Sequence, residues 1–260
     1  MKPEYKNWMP KGMIGGFAAA AVGCGAVVAV LALTLPAGAL KTVLVILFAS
    51  LTVLFIDLTV WSIMMYRAFS YDGKRQMSRQ IIEGIAETVR LPESGLCLDV
   101  GCGSGALTIA CAKRNPKASF LGIDRWGKEY ASYSKSLCEN NARAEGVSNV
   151  SFEQGDATGL AFPDGYFDAV TSNYVYHNIS GDRQAYLLET LRTLKKGGTF
   201  AIHDIFSKAK YGDMQAFVKK LRDMGYEKVS LIDTTDGKFI TKKEAGWMAL
   251  SGSALLVGRK

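Results

Sequence analysis

The stretch from Gly12 to Leu40 carries no charged side chain, and this limits how the chain can fold. An α-helix needs about 20 apolar residues to cross a hydrocarbon core of about 30 Å. We therefore predict a membrane-spanning helix over about 13–35. A second apolar stretch, 42–66, follows a short turn and is interrupted only by Asp57. Together the two stretches predict a transmembrane helical hairpin within residues 1–66.

Small residues recur along the first predicted span. They stand at every fourth position in two sets: Gly15, Ala19 and Gly23, and then Ala21 and Gly25. Small side chains let another helix approach closely, so we expect the second span to pack there. The same small-residue face could also serve oligomers.

Asp57 has two explanations at this stage. A carboxylate in hydrocarbon is costly and often marks function. Alternatively, Asp57 lies near the lipid headgroups, close to Trp61 and Tyr66, or pairs within the hairpin. The sequence favours the structural explanation.

Basic residues flank the two spans unevenly. Only Lys41 lies between the spans, whereas the outer flanks carry Lys2, Lys6, Lys11, Arg67, Lys74, Arg75 and Arg79. This asymmetry predicts an integral membrane protein with both termini and the following domain in the cytoplasm. A cleavable signal peptide is the alternative, because 37–39 resembles a cleavage site, but the apolar run is too long for one.

The remaining composition excludes several function classes. The net charge of +7 is spread among acids without a basic tract, which favours membrane lipids over nucleic acid as partners. The five cysteines show no zinc or disulfide spacing, and only two histidines are present, so no metal site is predicted.

Residues 67–90 are predicted to form a linker and an amphipathic helix, and residues 91–260 to form an α/β domain. Short apolar runs alternate there with longer helical patterns, which predicts a parallel sheet covered by helices on both faces. The predicted strands are 96–100, 119–123, 150–153, 167–171, 199–203, 228–232 and 254–257. The predicted helices are 106–114, 128–145, 182–195 and 213–224.

One run within this domain predicts a cofactor site. The strand 97–100 ends in three alternating glycines, Gly101, Gly103 and Gly105, before a helix. Glycines allow close backbone approach to a ligand, and the helix start offers N–H groups. Asp124 ends the next strand, where a carboxylate can accept hydrogen bonds from both ribose hydroxyls of a nucleoside.

The order of motifs resembles class I S-adenosylmethionine-dependent methyltransferases. The motifs are Asp-Val-Gly-Cys-Gly-Ser-Gly, Gly-Ile-Asp, Gly-Asp-Ala at 155–157, Phe-Asp-Ala-Val at 167–170 and Leu-Lys-Lys-Gly-Gly at 194–198. The resemblance covers nearly all of residues 75–260. It implies a seven-stranded Rossmann-like methyltransferase sheet, preceded by the two transmembrane helices.

The resemblance also implies roles for individual residues. Gly101, Gly103 and Gly105 would shape the loop around the methionine part of S-adenosyl-L-methionine, and Asp99 would orient that loop. Asp124 would hold the ribose hydroxyls. Adenine contacts would come from Asp156 and Ala157, with Arg125 or Trp126 over a ring face. The product would be S-adenosyl-L-homocysteine.

The segment 172–178 follows the fourth strand and, in this family, borders both the cofactor and the methyl acceptor. Asn173 is assigned to the cofactor. Tyr174 or Tyr176 either contacts the sulfonium or belongs to the core. His177 is the candidate general base, with His203 as a weaker alternative, and either could instead be structural.

The resemblance predicts methyl transfer to a small acceptor. The hairpin makes a hydrophobic or membrane-associated acceptor plausible, but the methylated atom stays open. Two other functions are considered. One is a membrane-anchored cofactor-binding protein without turnover, and the other is a nicotinamide-dependent oxidoreductase.

Overall fold

The computed structural model describes residues 2–127 and 132–260. The chain divides into two compact units. One comprises Asn7–Ser78, and the other comprises Arg79–Lys260 together with the first residues up to Lys6.

The first unit is built on two long helices. Helix α1 covers Lys11–Thr34 and helix α2 covers Ala39–Phe69. At 1.5 Å per residue they are about 36 and 46 Å long. Both are long and apolar enough, by length and composition, to cross a membrane.

The two helices pack through one of the two small-residue sets. Ala21 is buried, and a Cβ added at Gly25 would lie 3.8 Å from the Thr52 methyl group. A Cβ added at Gly15 or Gly23 would meet nothing within 4 Å. The expectation that the Gly15 set also packs on the second span is therefore wrong. The two sets are offset by two residues, which is about 200° around a helix.

The remaining elements lie in the second unit, except that α3 begins two residues before it, and all their bounds refer to the described residues. The helices are α3 (Met77–Ala86), α4 (Ala106–Arg114), α5 (Lys135–Ala144), α6 (Arg183–Arg192), α7 (Lys208–Tyr211), α8 (Met214–Asp223) and α9 (Lys242–Trp247). The strands are β1 (Leu96–Val100), β2 (Ser119–Asp124), β3 (Val150–Gln154), β4 (Phe167–Asn173), β5 (Leu194–Ile205), β6 (Glu227–Asp233) and β7 (Ser253–Arg259).

The described strands form one seven-stranded sheet in the order β3-β2-β1-β4-β5-β7-β6. This confirms the predicted Rossmann-like fold class. The sheet is not wholly parallel, however, because β7 runs antiparallel to both β5 and β6. The expectation of a wholly parallel sheet is therefore wrong at this edge. The sequence does not reveal the direction of β7, because this mostly buried strand has the same continuous apolar pattern as a parallel strand.

Helix bounds differ from the predictions in two places. The helix expected over 128–145 begins at Lys135 among the described residues, after its N-cap Ser134, and positions 128–131 lie outside them. The helix expected over 182–195 ends at Arg192, because β5 already begins at Leu194. The short helices α7 and α9 were not predicted.

The order of strands places a ligand site between β1 and β4. The chain moves outward in one direction from β1 to β3, and in the other direction from β4 onward. Ligands of open α/β sheets bind at the carboxyl ends of strands where the order reverses in this way. The candidate residues that follow β1, β2, β3, β4 and β5 all lie along this edge.

Candidate active site

The loop after β1 exposes its backbone at the start of α4. Gly101, Gly103 and Gly105 have φ angles of 72°, 56° and 80°, a left-handed region that favours glycine. A Cβ at Gly101 would lie 2.2 Å from the Val175 side chain, whereas one at Gly103 would make only an ordinary van der Waals contact, 3.9 Å from Tyr133 Cε2. The backbone is therefore less crowded at Gly103 than at Gly101.

Asp99 is buried beneath this loop. Its carboxylate accepts hydrogen bonds from the hydroxyls of Thr108 (2.6 Å) and Thr171 (2.9 Å). Burial raises the pKa of Asp99 to about 7, and the two threonine hydrogen bonds only partly oppose the rise. Asp99 thus connects β1, α4 and β4, the elements that carry the loop.

The raised pKa of Asp99 predicts a pH-dependent stability. The folded state holds the Asp99 proton up to a pH of about 7, but the unfolded chain releases it near 4. The contribution of Asp99 to stability therefore falls as pH rises between these values. We expect Asp99→Asn to lose less stability than wild type between pH 5 and 8. Urea unfolding of the detergent-solubilised chain measures this, and equal pH slopes would contradict it.

Asp124 lies half-buried at the end of β2 and faces the glycine loop. It accepts hydrogen bonds from the backbone N–H groups of Gly103 and Trp126, both at 2.8 Å. The Trp126 indole N–H donates to the Gly103 carbonyl at 3.1 Å. The Arg125 side chain is exposed. Asp124, Gly103 and Trp126 therefore form one connected set at the carboxyl ends of β1 and β2.

Asp156 stands next to this set. The Gly155 N–H donates to the Asp124 carbonyl at 3.0 Å. Asp156 is exposed, and one of its oxygens accepts from the backbone N–H and the hydroxyl of Thr158, both at 2.8 Å. These hydrogen bonds lower the pKa of Asp156, so it is ionised at neutral pH. Ala157 is half-buried against the core.

A matched pair of variants tests Asp156 as an adenine contact. Asp233 forms the same turn with Thr235 at the end of β6, with two 2.7 Å hydrogen bonds to one oxygen. We expect Asp156→Ala to weaken S-adenosylhomocysteine binding roughly tenfold, through loss of a hydrogen bond to a charged group. Asp233→Ala should leave the dissociation constant unchanged. Equal effects in calorimetric titrations would reduce Asp156 to a turn residue.

Asn173 ends β4 and is held by His203. The Asn173 amide oxygen lies 2.8 Å from His203 Nδ1, and His203 Nε2 lies 3.0 Å from the Thr234 hydroxyl. His203 is fully buried, and burial lowers its pKa to about 3. His203 is therefore neutral, and both its nitrogens already have partners. This arrangement suits a structural residue that positions Asn173 rather than a base.

The two tyrosines of the segment occupy different environments. Tyr176 is fully buried in the core, with its hydroxyl 2.5 Å from that of Thr190. Tyr174 is half-buried, and its ring centroid lies 4.7 Å from that of His203 and 5.8 Å from that of His177. Tyr174 is thus the tyrosine at the sheet edge, beside both histidines.

His177 lies in a short 3-10 helix after β4 and pairs with a buried carboxylate. Its Nδ1 is 2.5 Å from Asp204 Oδ1, and its side chain is 13% exposed, whereas that of Asp204 is 0% exposed. Asp204 also accepts from the Tyr211 hydroxyl (2.9 Å) and the Ile205 N–H (2.7 Å). Burial alone would raise the pKa of Asp204, but the hydrogen bonds, led by that of His177, outweigh it and hold the pKa below its ordinary value.

The tautomer of His177 follows from this pairing. An ionised carboxylate accepts only, so Nδ1 carries the hydrogen and donates it to Asp204. In a neutral imidazole with this tautomer, Nε2 has the lone pair that accepts a proton. A histidine whose Nδ1–H is held by a buried aspartate is the arrangement that orients a general base.

The sequence analysis did not identify several residues that support the site. They are Asp204 and Tyr211 around His177, Thr108 and Thr171 on Asp99, and Cys138 and Asn141 of α5, which bond the carbonyls of Gly103 and Ser104 at 3.2 and 3.0 Å. Asp204 was detectable, because it is an acid near the carboxyl end of β5, the strand next to β4. The α5 contacts depend on tertiary packing.

Comparisons with known proteins identify the family of the domain that carries these residues. A family model described as a methyltransferase domain matches residues 94–249. The uncharacterized methyltransferase YcgJ of Bacillus subtilis is 36% identical over 110 residues, which is 42% of this chain and 40% of the relative. A protein of Desulfotalea psychrophila, named ubiquinone/menaquinone biosynthesis C-methyltransferase UbiE, is 28% identical over 63% of this chain and 60% of its own length.

The fold also matches solved structures. The [4+2]-cyclase SpnF has a TM-score of 0.56 at 22% identity, covering 74% of this chain and 85% of the cyclase. At this identity the likeness shows the fold alone. The chain spans less than two thirds of the length of both curated relatives, 40% of one and 60% of the other. The family model covers more than half of the chain, and the chain therefore belongs to the methyltransferase domain family, whose cofactor is S-adenosylmethionine.

Proposed function

We propose that this protein transfers a methyl group from S-adenosylmethionine to a small hydrophobic acceptor that loses a proton in the reaction. The His177–Asp204 pair carries this proposal, because it places an oriented proton acceptor at the edge of the sheet that holds the glycine loop. We also propose that α1 and α2 anchor the enzyme to a membrane.

The residues present fit the proposed cofactor. The left-handed glycine loop lies against the carboxylate of Asp124, which accepts from the Gly103 N–H, and the ionised Asp156 follows the neighbouring strand β3. Asp124 would hold the ribose hydroxyls and Asp156 the adenine amino group. S-adenosylmethionine, when bound, supplies an electrophilic methyl group on a sulfonium.

The chain's own contribution to the reaction is positioning and proton removal. His177 Nε2 would accept the acceptor proton, and the buried carboxylate of Asp204 would stabilise the imidazolium that forms. Tyr211 and the Ile205 N–H hold Asp204 in place, so the imidazole keeps its orientation. The acceptor atom must therefore carry a removable proton, as a hydroxyl, thiol, amine or acidic C–H group does.

Two observations support a hydrophobic acceptor. Several curated relatives, such as the Thermus thermophilus demethylmenaquinone methyltransferase, have names that specify quinones, which are lipid-soluble. The apolar helices α1 and α2 would hold the enzyme where such molecules concentrate. We therefore assign the acceptor to the lipid-soluble molecules, because both the names of these relatives and the apolar helices favour that class.

Labelled methyl transfer tests the acceptor class. The detergent-solubilised chain would be incubated with methyl-labelled S-adenosylmethionine and either a lipid extract or an aqueous metabolite extract of the same cells. We expect label in the lipid extract with the wild-type chain and far less label with the control variant His177→Ala. Label only in aqueous molecules would overturn the hydrophobic acceptor, and cofactor binding without label in either extract would favour a binding protein without turnover.

Membrane anchoring makes a separate prediction. Lys11 and Tyr66 meet at one end of the hairpin, with the Lys11 ammonium 5.7 Å from the Tyr66 ring centroid, and basic residues flank that end. We expect the full chain to stay with membranes after carbonate extraction. A C-terminal tag should resist protease outside intact cells and be cleaved once the cells are permeabilised. Cleavage in intact cells would contradict the cytoplasmic topology.

A further inference from the structure

Asp57 is the acidic residue of the two spans, and the hairpin does not cover it. Its side chain is exposed, and it makes no hydrogen bond or ion pair with any residue that the structure describes. The hairpin therefore disproves one of the structural explanations for Asp57, that it pairs within the hairpin. If α2 lies in lipid, a group from outside the hairpin must contact the Asp57 carboxylate.

The position of Asp57 along α2 places it inside the span. Phe55, two residues earlier, stacks on Phe17 of α1 with ring centroids 6.4 Å apart. Asp57 lies nine residues before Tyr66, which is about 13 Å along the helix. A short aspartate side chain cannot extend that far to the headgroups, unlike lysine or arginine. A carboxylate at this depth normally faces another protein segment or a polar cavity.

Asp57 belongs to a regular exposed seam on α2. The seam residues follow one another at steps of three and four, and all are exposed: Val43, Ile46, Ser50, Val53, Asp57, Val60 and Met64. Such steps are the seam spacing of two helices that pack as a coiled coil. The polar members, Ser50 and Asp57, are seven residues apart and therefore lie on one line along the helix.

We infer that this seam packs against the same seam of a second copy of the chain, in a parallel two-fold dimer. The inference rests on the membrane anchoring proposed above. A two-fold axis sets each seam residue opposite its own copy. Both polar residues suit this symmetry, because a serine hydroxyl donates and accepts, and a carboxylic acid can donate to a carboxylate. A second copy thus supplies partners for Ser50 and Asp57 together.

Cysteine crosslinking in native membranes tests the dimer. In a Cys24→Ser background, cysteine would be introduced at Val53 or Val60 on the seam, or at Leu54 as the control. Val53 and Leu54 lie at the same depth and are 58% and 49% exposed, but neighbouring residues point about 100° apart. We expect oxidation to give at least tenfold more covalent dimer at Val53 and Val60 than at Leu54. Asp57→Leu should abolish the dimer, whereas Asp57→Asn, whose amide donates and accepts, should retain it.

The outcomes separate this inference from the function. Equal crosslinking at Val53 and Leu54 would overturn the α2 dimer, and so would a dimer that survives Asp57→Leu. Crosslinking through Ala19→Cys instead, in the small-residue set of α1 that does not face α2, would also overturn it. Loss of the chain from carbonate-washed membranes would show that the anchoring itself fails. Labelled methyl transfer by the same variants reports on the enzyme independently of both.

Discussion

Replacing Asp124 with alanine should weaken S-adenosylhomocysteine binding by roughly 10²–10⁴-fold. Two hydrogen bonds from ribose hydroxyls to a carboxylate are each worth about 1.5–3 kcal/mol. The variant also loses the acceptor for the Gly103 and Trp126 N–H groups, whose hydrogen bonds hold the glycine loop against the end of β2. Calorimetric titration of the detergent-solubilised chain measures the change.

Two further variants provide controls for Asp124. Asp124→Asn keeps one oxygen for the loop but loses the charge, so its affinity should fall between those of wild type and Asp124→Ala. His177→Ala should bind as tightly as wild type, since His177 lies on the acceptor side. Unchanged affinity in Asp124→Ala would remove the ribose role that the family resemblance implies.

His177→Ala should lower turnover by roughly 10²–10⁴-fold while leaving cofactor affinity nearly unchanged, because general-base catalysis contributes about that much. Asp204→Asn should lower turnover comparably, since it removes the carboxylate that fixes the tautomer and stabilises the imidazolium. Initial rates of labelled methyl transfer into the lipid extract measure both effects.

The pH profile separates a base from a structural histidine. The pH profile of turnover should differ in shape between wild type and His177→Ala, because only the wild type carries a base at this position. Added imidazole should restore part of the lost rate. Tyr211→Phe removes one hydrogen bond to Asp204 but leaves the His177 contact, so it should lower the rate far less. An unchanged rate in His177→Ala would assign the histidine a structural role.

Local signals predicted the fold class and the position of the glycine loop. A strand, a glycine turn and a helix need only neighbouring residues, so the β1–α4 loop was readable from 97–105. The direction of β7 was not readable, because a buried strand has the same continuous apolar pattern in either orientation. The early start of β5 at Leu194 was hidden by Lys195 and Lys196, which are exposed and charged.

The acceptor side depended on distant contacts. His177 was identified as a candidate base, but its partner Asp204 is 27 residues away on the next strand. Environment also distinguished residues that look alike in the sequence. His203 and Tyr176 are fully buried, whereas His177 and Tyr174 lie at the sheet edge. Sequence spacing alone could not make that division.

The packing of the hairpin shows the same limit. The small-residue pattern indicated that another helix packs closely on α1, but not which of the two sets it contacts. Ala21 and Gly25 face α2, and Gly15 and Gly23 do not. The exposure of Asp57 followed only once this packing had fixed the orientation of α2.

The edge formed by the glycine loop, Asp124 and Asp156 is expected to bind S-adenosylmethionine. Calorimetric titration of the detergent-solubilised chain with S-adenosylhomocysteine and, separately, with NAD tests it most directly. We expect one S-adenosylhomocysteine bound per chain and no binding of NAD. Binding of NAD without binding of S-adenosylhomocysteine would contradict the account and favour a nicotinamide-dependent oxidoreductase.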